Sequence, residues 1–170
     1  MTSMLPRVSH EHHERLSRHV DAMPAVADLI GTAPVADLAP RLDDTCTFLT
    51  DLLVPHMEAA ERALYPELER MFQNRHSMTP MRREHAEIRS LVDDLRGRRT
   101  GVDQGCLTVA EAVALRRVIF RLYALLKVHL AEEQLYLDIV EHGVSAEAGA
   151  ILATALEHAG ISEVGERVPA

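Results

Sequence analysis

Tryptophan is absent, and aromatic residues make up only 4% of the 170-residue chain. A core without large rings has to be built from Leu, Val, Ala, Ile and Met, a palette that suits helices. Only two cysteines are present, Cys46 and Cys106, far apart and without a Cys-x-x-Cys pair. That argues against a disulfide framework, and free thiols fit a reducing cytoplasm, where the chain is expected to reside. No apolar run approaches the length of about 18 residues that a membrane span needs. The opening Met1-Thr2-Ser3-Met4-Leu5-Pro6-Arg7 has no apolar stretch of the kind that marks a secretory signal. Positive charge is also in deficit: the net charge of −8 argues against a general nucleic-acid binder. No stretch reads as a β-strand.

What the chain does have is histidine. There are ten, dispersed rather than clustered in a tag or a His-rich tract. Two stretches echo each other, Pro55-His56-Met57-Glu58-Ala59-Ala60-Glu61 and Lys127-Val128-His129-Leu130-Ala131-Glu132-Glu133. Each puts a histidine on an apolar helical stripe with carboxylates about one turn later. A helix advances about 1.5 Å and about 100° per residue, so an imidazole at i and a carboxylate at i+4 share a face and can share a metal. His129 and Glu133 have that spacing. His56 does not, because position 60 is alanine and the next carboxylate is Glu61.

Apolar periodicity predicts four long helices. The first runs from about Ser9 to Ile30, after a loose arm, and Pro24 should kink or split it. The second runs from about Ala36 to Phe72, with Leu49, Leu53, His56, Ala60, Leu64 and Met71 inward, and should bend at Pro55 and Pro66. The third covers about 80–98, with Met81, His85, Ile88, Val92 and Leu95 inward. The fourth opens at Thr108, where Glu111 completes a capping box, and continues to about His142, with Val118, Leu122, Leu125, His129, Glu133, Tyr136 and Val140 inward. A short fifth helix is expected over 145–159. The whole is read as one all-α domain spanning 1–170, an up-down-up-down four-helix bundle with a core over 9–142 and a short C-terminal helix laid on it. The apolar face of that fifth helix would cap the bundle or form a homodimer contact.

In such a bundle neighbours run antiparallel, and depth can be counted from the turns. His13, His56, His85 and His129, one per helix, fall at matched depth. Glu133 joins them from the fourth helix. One histidine on an apolar stripe is ordinarily a hydrogen-bonded core residue. Four at one depth, with a buried carboxylate, are costly to bury without a cation. Histidines and carboxylates converging in a bundle core make an N/O site suited to iron, manganese or zinc.

The ordered set resembles the hemerythrin-like (HHE) domain family, whose pattern is His, HxxxE, His, HxxxE, one element per helix. Pro55-His56 with Leu64-Tyr65-Pro66 resembles its second-helix run, Arg82-Arg83-Glu84-His85-Ala86-Glu87-Ile88 its third, and His129 to Tyr136 its fourth. The resemblance covers about residues 10–142. It implies a non-haem site of two irons, with an oxo or hydroxo bridge, held by His13, His56, His85, His129 and Glu133. His12 and His19 compete for the first-helix role, but His13 fits the depth count and the family spacing better. The family binds or senses dioxygen, nitric oxide or iron, and some members act on peroxide.

Three departures from the family pattern matter. Its second-helix carboxylate falls on Ala60, so a bridging carboxylate is missing and a mononuclear or asymmetric site becomes an alternative; Glu61, about 100° round, either reaches in if Pro55 distorts the helix or stays an exposed glutamate. Tyr136, seven residues after His129, lies on the inward stripe, where its phenol would ligate the metal, hydrogen-bond to a bound oxygen species, or meet a backbone group as a core tyrosine. Arg89 stands where the oxygen carriers place another histidine; it would steady a bound anion, or sit ion-paired at the bundle edge. The expected ligand is a small diatomic or peroxide, with no nucleic-acid or membrane partner. Peroxide consumption, a non-enzymatic iron-binding or sensor module, and a metal-free interaction bundle remain as distinct readings.

Overall fold

A computed structural model describes residues 5–102 and 107–143, with side chains for 12–102 and 107–139. Among these residues there are helices and no strands. Helix α1 spans Leu5–Leu29. Helices α2 (Val35–Thr47), α3 (Val54–Ala59) and α4 (Tyr65–Met71) are separated only by π-helical turns, Phe48–Leu53 and Ala60–Leu64, and form one continuous second arm. Helices α5 (Thr79–Val102) and α6 (Val109–Gly143) complete the bundle. The expected fifth helix, its dimer contact and Cys106 lie outside the described residues, as does the side chain of Val140.

The antiparallel arrangement shows in the ion pairs between arms. On α1 and α6, Asp21 meets Lys127 while Asp28 meets Arg116. On the second arm and α5, Asp43 meets Arg99 while Glu69 meets Arg82. Residue numbers rise on one arm as they fall on its partner. The arms form a closed ring in which α1 touches α2 and α6, and α5 touches α2 and α6.

Local chemistry explains most boundaries. Thr108 and Glu111 form the capping box reciprocally: the Thr108 backbone N–H donates to the Glu111 carboxylate, and the Glu111 N–H donates to the Thr108 hydroxyl. Gly31 has φ +79°, a left-handed conformation that suits glycine at the α1 stop. Helix α1 starts earlier than expected, at Leu5, because Pro6 in a first turn removes no needed donor. Pro24 does not split it; Val20, Met23 and Ala27 are buried around that turn and hold it in register. Helix α5 runs past the expected end near Arg98, because the fully buried Val102 draws its last turn into the core.

The prolines of the second arm act on the turn before them. Pro55 and Pro66 each stand two residues beyond the last residue of a π-helical turn. A proline ring clashes with the carbonyl four residues back, and a widened turn relieves that clash. Accordingly the Val54 N–H reaches the Leu49 carbonyl and the Tyr65 N–H reaches the Ala60 carbonyl, one residue further back than in an α-helix. Each π turn rotates the residues after it. Tyr65 and Leu68 become buried, while Met71, expected inward, is only partly buried. On α6, Leu126 is buried and Leu125 only partly so.

The apolar core is in two parts. A large cluster of aliphatic side chains, including Leu16, Leu49, Ile88 and Leu122, fills most of the bundle. A small one, Ala60, Leu64, Tyr65, Leu68, Met78 and Met81, closes one end. Between them on every arm falls a polar residue: His13, His56, His85, His129 and Glu133, all buried. The fold thus sandwiches one polar layer between two apolar plugs.

Candidate metal centre

Glu133 lies at the middle of the layer and is fully buried. His56 Nε2 donates to its Oε2 at 2.7 Å, and His13 Nε2 lies 3.2 Å from the same oxygen. On the other side His85 Nε2 and His129 Nε2 stand 3.0 Å apart. These atoms make two groups that could each hold a cation, His13 with His56 and Glu133, and His85 with His129 and Glu133. The carboxylate belongs to both. It can bridge because a carboxylate has two oxygens, and the i, i+4 spacing of His129 and Glu133 on α6 aims both side chains into the layer.

The second group has further partners. The Tyr65 hydroxyl lies 3.0 Å from His85 Nε2 and 3.4 Å from Glu133 Oε1, its proton shared between two acceptors. His85 Nδ1 donates to Glu61 Oε1 at 2.7 Å, and Arg89 holds that oxygen at 3.0 Å. His129 Nδ1 donates to Glu84 Oε2 at 2.9 Å. Such outer carboxylates fix the tautomer so that the inner nitrogen offers its lone pair. The Nδ1 atoms of His13 and His56 are buried without a hydrogen-bond partner among the described residues. The His12 ring lies 5.1 Å from that of His56.

Burial sets the protonation states. It pushes the His85 imidazole down to about 4, helped by the His129 ring beside it. It pushes His12 down to about 3, with His56 as the next cause. It drives the Tyr65 phenol far above its ordinary value, and the Glu133 charge pushes the same way, so the phenol stays protonated unless a cation takes it. Burial alone would raise the Glu133 carboxyl, but the His56 and His13 rings outweigh it and hold the group well below the usual carboxylate range.

The donor set fits a metal. With both Nδ1 protons directed at glutamates, the inner nitrogens of His85 and His129 face one another as lone pairs, which a cation reconciles. Two nitrogens each about 2.1 Å from one ion, at right angles to each other, stand about 3 Å apart, as these do. The family comparison agrees: residues 6–137 match the hemerythrin HHE cation-binding domain. The chain belongs to the hemerythrin HHE family. No curated protein and no solved structure matches it.

Within this hemerythrin-like chain the residues singled out from the sequence fall in different places. His13, His56, His85, His129 and Glu133 converge. Glu61 does turn inward, through the π turn at Ala60–Leu64, but it meets the outer nitrogen of His85 rather than the inner cluster. Arg89 is ion-paired with Glu61 at the bundle edge and half-exposed. The Tyr136 ring packs 6.4 Å from that of Phe72, beside the small apolar cluster. His19 is exposed and stacks on Phe48 at 4.7 Å. Ala60 leaves no carboxylate at its own position and packs in the small cluster.

Two residues escaped the sequence reading. Tyr65 brings the phenol that reaches the cluster; its signal was Pro66, whose preceding π turn swings position 65 inward. Glu84 precedes His85, yet neighbours on a helix do not face each other, so it serves His129 across the α5–α6 contact. Antiparallel pairing of those two helices was the signal for it.

Proposed function

We propose that this hemerythrin-like chain is a non-haem di-iron protein that binds, senses or reacts with dioxygen, hydrogen peroxide or nitric oxide. The observation that carries the reading is the pair of buried donor groups joined through Glu133. When bound, two irons supply one-electron redox steps and coordination positions for a small ligand. His13 and His56 would hold one ion, His85 and His129 the other, and Glu133 both.

The remaining chemistry belongs to the chain. Tyr65 offers a proton or a phenolate oxygen on the His85 side of the cluster. The small cluster of Leu64, Leu68, Met78 and Met81 and the larger aliphatic core close the layer from both ends and exclude bulk water. Low local polarity strengthens every charge interaction inside the layer. Three protein donors in the His13 group leave space for a ligand that is not protein. No helix among the described residues is long and apolar enough to cross a membrane.

The experiment is metal analysis of the chain with a visible spectrum before and after hydrogen peroxide. Two irons per chain and a ferric band that changes with peroxide support the reading. Many equivalents of peroxide consumed per site would make it an enzyme; stoichiometric reaction alone would make it a binding or sensing module. No metal after iron reconstitution would overturn the proposal.

A further inference from the structure

The two halves of the centre are built unequally. Behind His85 stands Glu61 at 2.7 Å, itself steadied by Arg89, and behind His129 stands Glu84 at 2.9 Å. Behind His13 and His56 no acceptor stands among the described residues, and both outer nitrogens are buried. The inner nitrogens differ in consequence. Those of His85 and His129 carry no proton of their own, because each outer nitrogen donates to its glutamate; only the Tyr65 hydroxyl, shared with Glu133, has to turn aside from His85 for a cation to enter. That of His56 donates to Glu133 at 2.7 Å, and that of His13 lies 3.2 Å from the same oxygen. A cation entering there has to displace the proton on His56 to an outer nitrogen that no acceptor receives, and has to take the carboxylate oxygen away from its hydrogen bond. Tyr65 adds a fourth donor to the His85 side only.

We propose that the two positions fill in order. The His85–His129–Glu133 position holds a resident ion, and the His13–His56–Glu133 position holds a weaker, exchangeable one. The chain then passes between a one-metal and a two-metal state as metal supply changes, and its chemistry with small ligands is switched by occupancy of the second position. The proposal rests on the metal-binding reading above. Glu61 and Glu84 are positioning residues in it: they act through the two histidines and touch no ion themselves.

The test is a titration of the metal-free full chain with cobalt(II), followed by calorimetry and by the visible ligand-field band. Two binding events are expected, separated by about tenfold or more in affinity. Loss of an outer partner typically weakens metal binding by about 10–100-fold. Glu84→Gln and Glu61→Gln should each weaken the tighter event by that factor, and Glu84→Asp should recover part of the loss. His13→Ala should remove the weaker event and leave the tighter one in place. Far-UV circular dichroism of each metal-free variant checks that the helices persist. The wild-type titration decides the ordering even if a variant fails to fold. Two ions bound with a single constant, or loss of the tighter event in His13→Ala, would overturn ordered filling while leaving metal binding intact. No cobalt and no iron bound at all would overturn the metal-binding reading itself.

Discussion

The hydroxyl of Tyr65 stands 3.0 Å from Nε2 of His85, on a different arm of the bundle, and both side chains are buried. A phenol in that position is protonated without metal, and it would serve as a phenolate donor to a ferric ion held by the neighbouring nitrogen. The Tyr136 phenol lies instead against Phe72. Iron-loaded, oxidised protein should therefore show a phenolate-to-iron(III) band in the visible that Tyr65→Phe abolishes and Tyr136→Phe retains. The reverse pattern would return the ligand role to Tyr136.

Glu133 is shared, whereas each histidine serves one position. Replacing Glu133 by alanine should take metal content below one ion per chain, while His56→Ala should leave about one. Inductively coupled plasma mass spectrometry on purified variants reads the difference. Equal losses in the two variants would show that the carboxylate does not bridge.

Acid should destabilise the metal-free chain. The ordinary histidine value is 6.5, and burial lowers His85 to about 4 in the fold. The unfolded chain therefore takes up the proton first as pH falls. Stability is complete above about pH 6.5 and declines toward pH 4, by about 1.4 kcal/mol per pH unit for each such histidine at most. Glu133, held below the usual carboxylate range, adds a further loss below its ordinary value of 4.5. Urea midpoints of the metal-free protein should be clearly lower at pH 5 than at pH 7.5. Identical midpoints would mean that these side chains are not buried as described.

The capping box at Thr108 supports α6 far from the metal donors. Thr108→Ala should lower stability by about 1 kcal/mol and leave metal stoichiometry unchanged. Thermal melting with metal analysis separates the two effects. A change in metal content would mean that the start of α6 is coupled to its far turn.

Ala60 packs against the small apolar cluster, 2% exposed. Restoring the family's carboxylate by Ala60→Glu should therefore destabilise the chain by about 1–3 kcal/mol from overpacking alone, with a buried charge added. It should not raise metal content above wild type. A gain of metal affinity would show that the π turn yields and that position 60 can rotate into the layer.

The family's histidine order and the four-helix plan were legible in the chain. Helical periodicity survives in any one helix read alone, and His129 with Glu133 needs only the pitch of α6 to share a face. The capping box at Thr108 and Glu111 is equally local. Matched depth of His13, His56, His85 and His129 came from counting along antiparallel arms, which requires only short connections.

What the sequence left open lies in registers and in contacts between arms. Whether Glu61 or Tyr65 faces the layer depends on how the turn before Pro66 widens, and one extra residue in a turn rotates everything after it. Local sequence marks a proline as a disturbance without saying whether the helix kinks, breaks or adds a π turn; packing against α5 and α6 selects the outcome. The pairing of Glu84 with His129 and of Glu61 with His85 exists only once α5 lies between the second arm and α6. The amino-acid order by itself determined the helices and the donors they carry. Tertiary structure decided which nitrogen each donor offers and which carboxylate stands behind it, because those depend on side chains from arms that are distant in sequence meeting within hydrogen-bond reach.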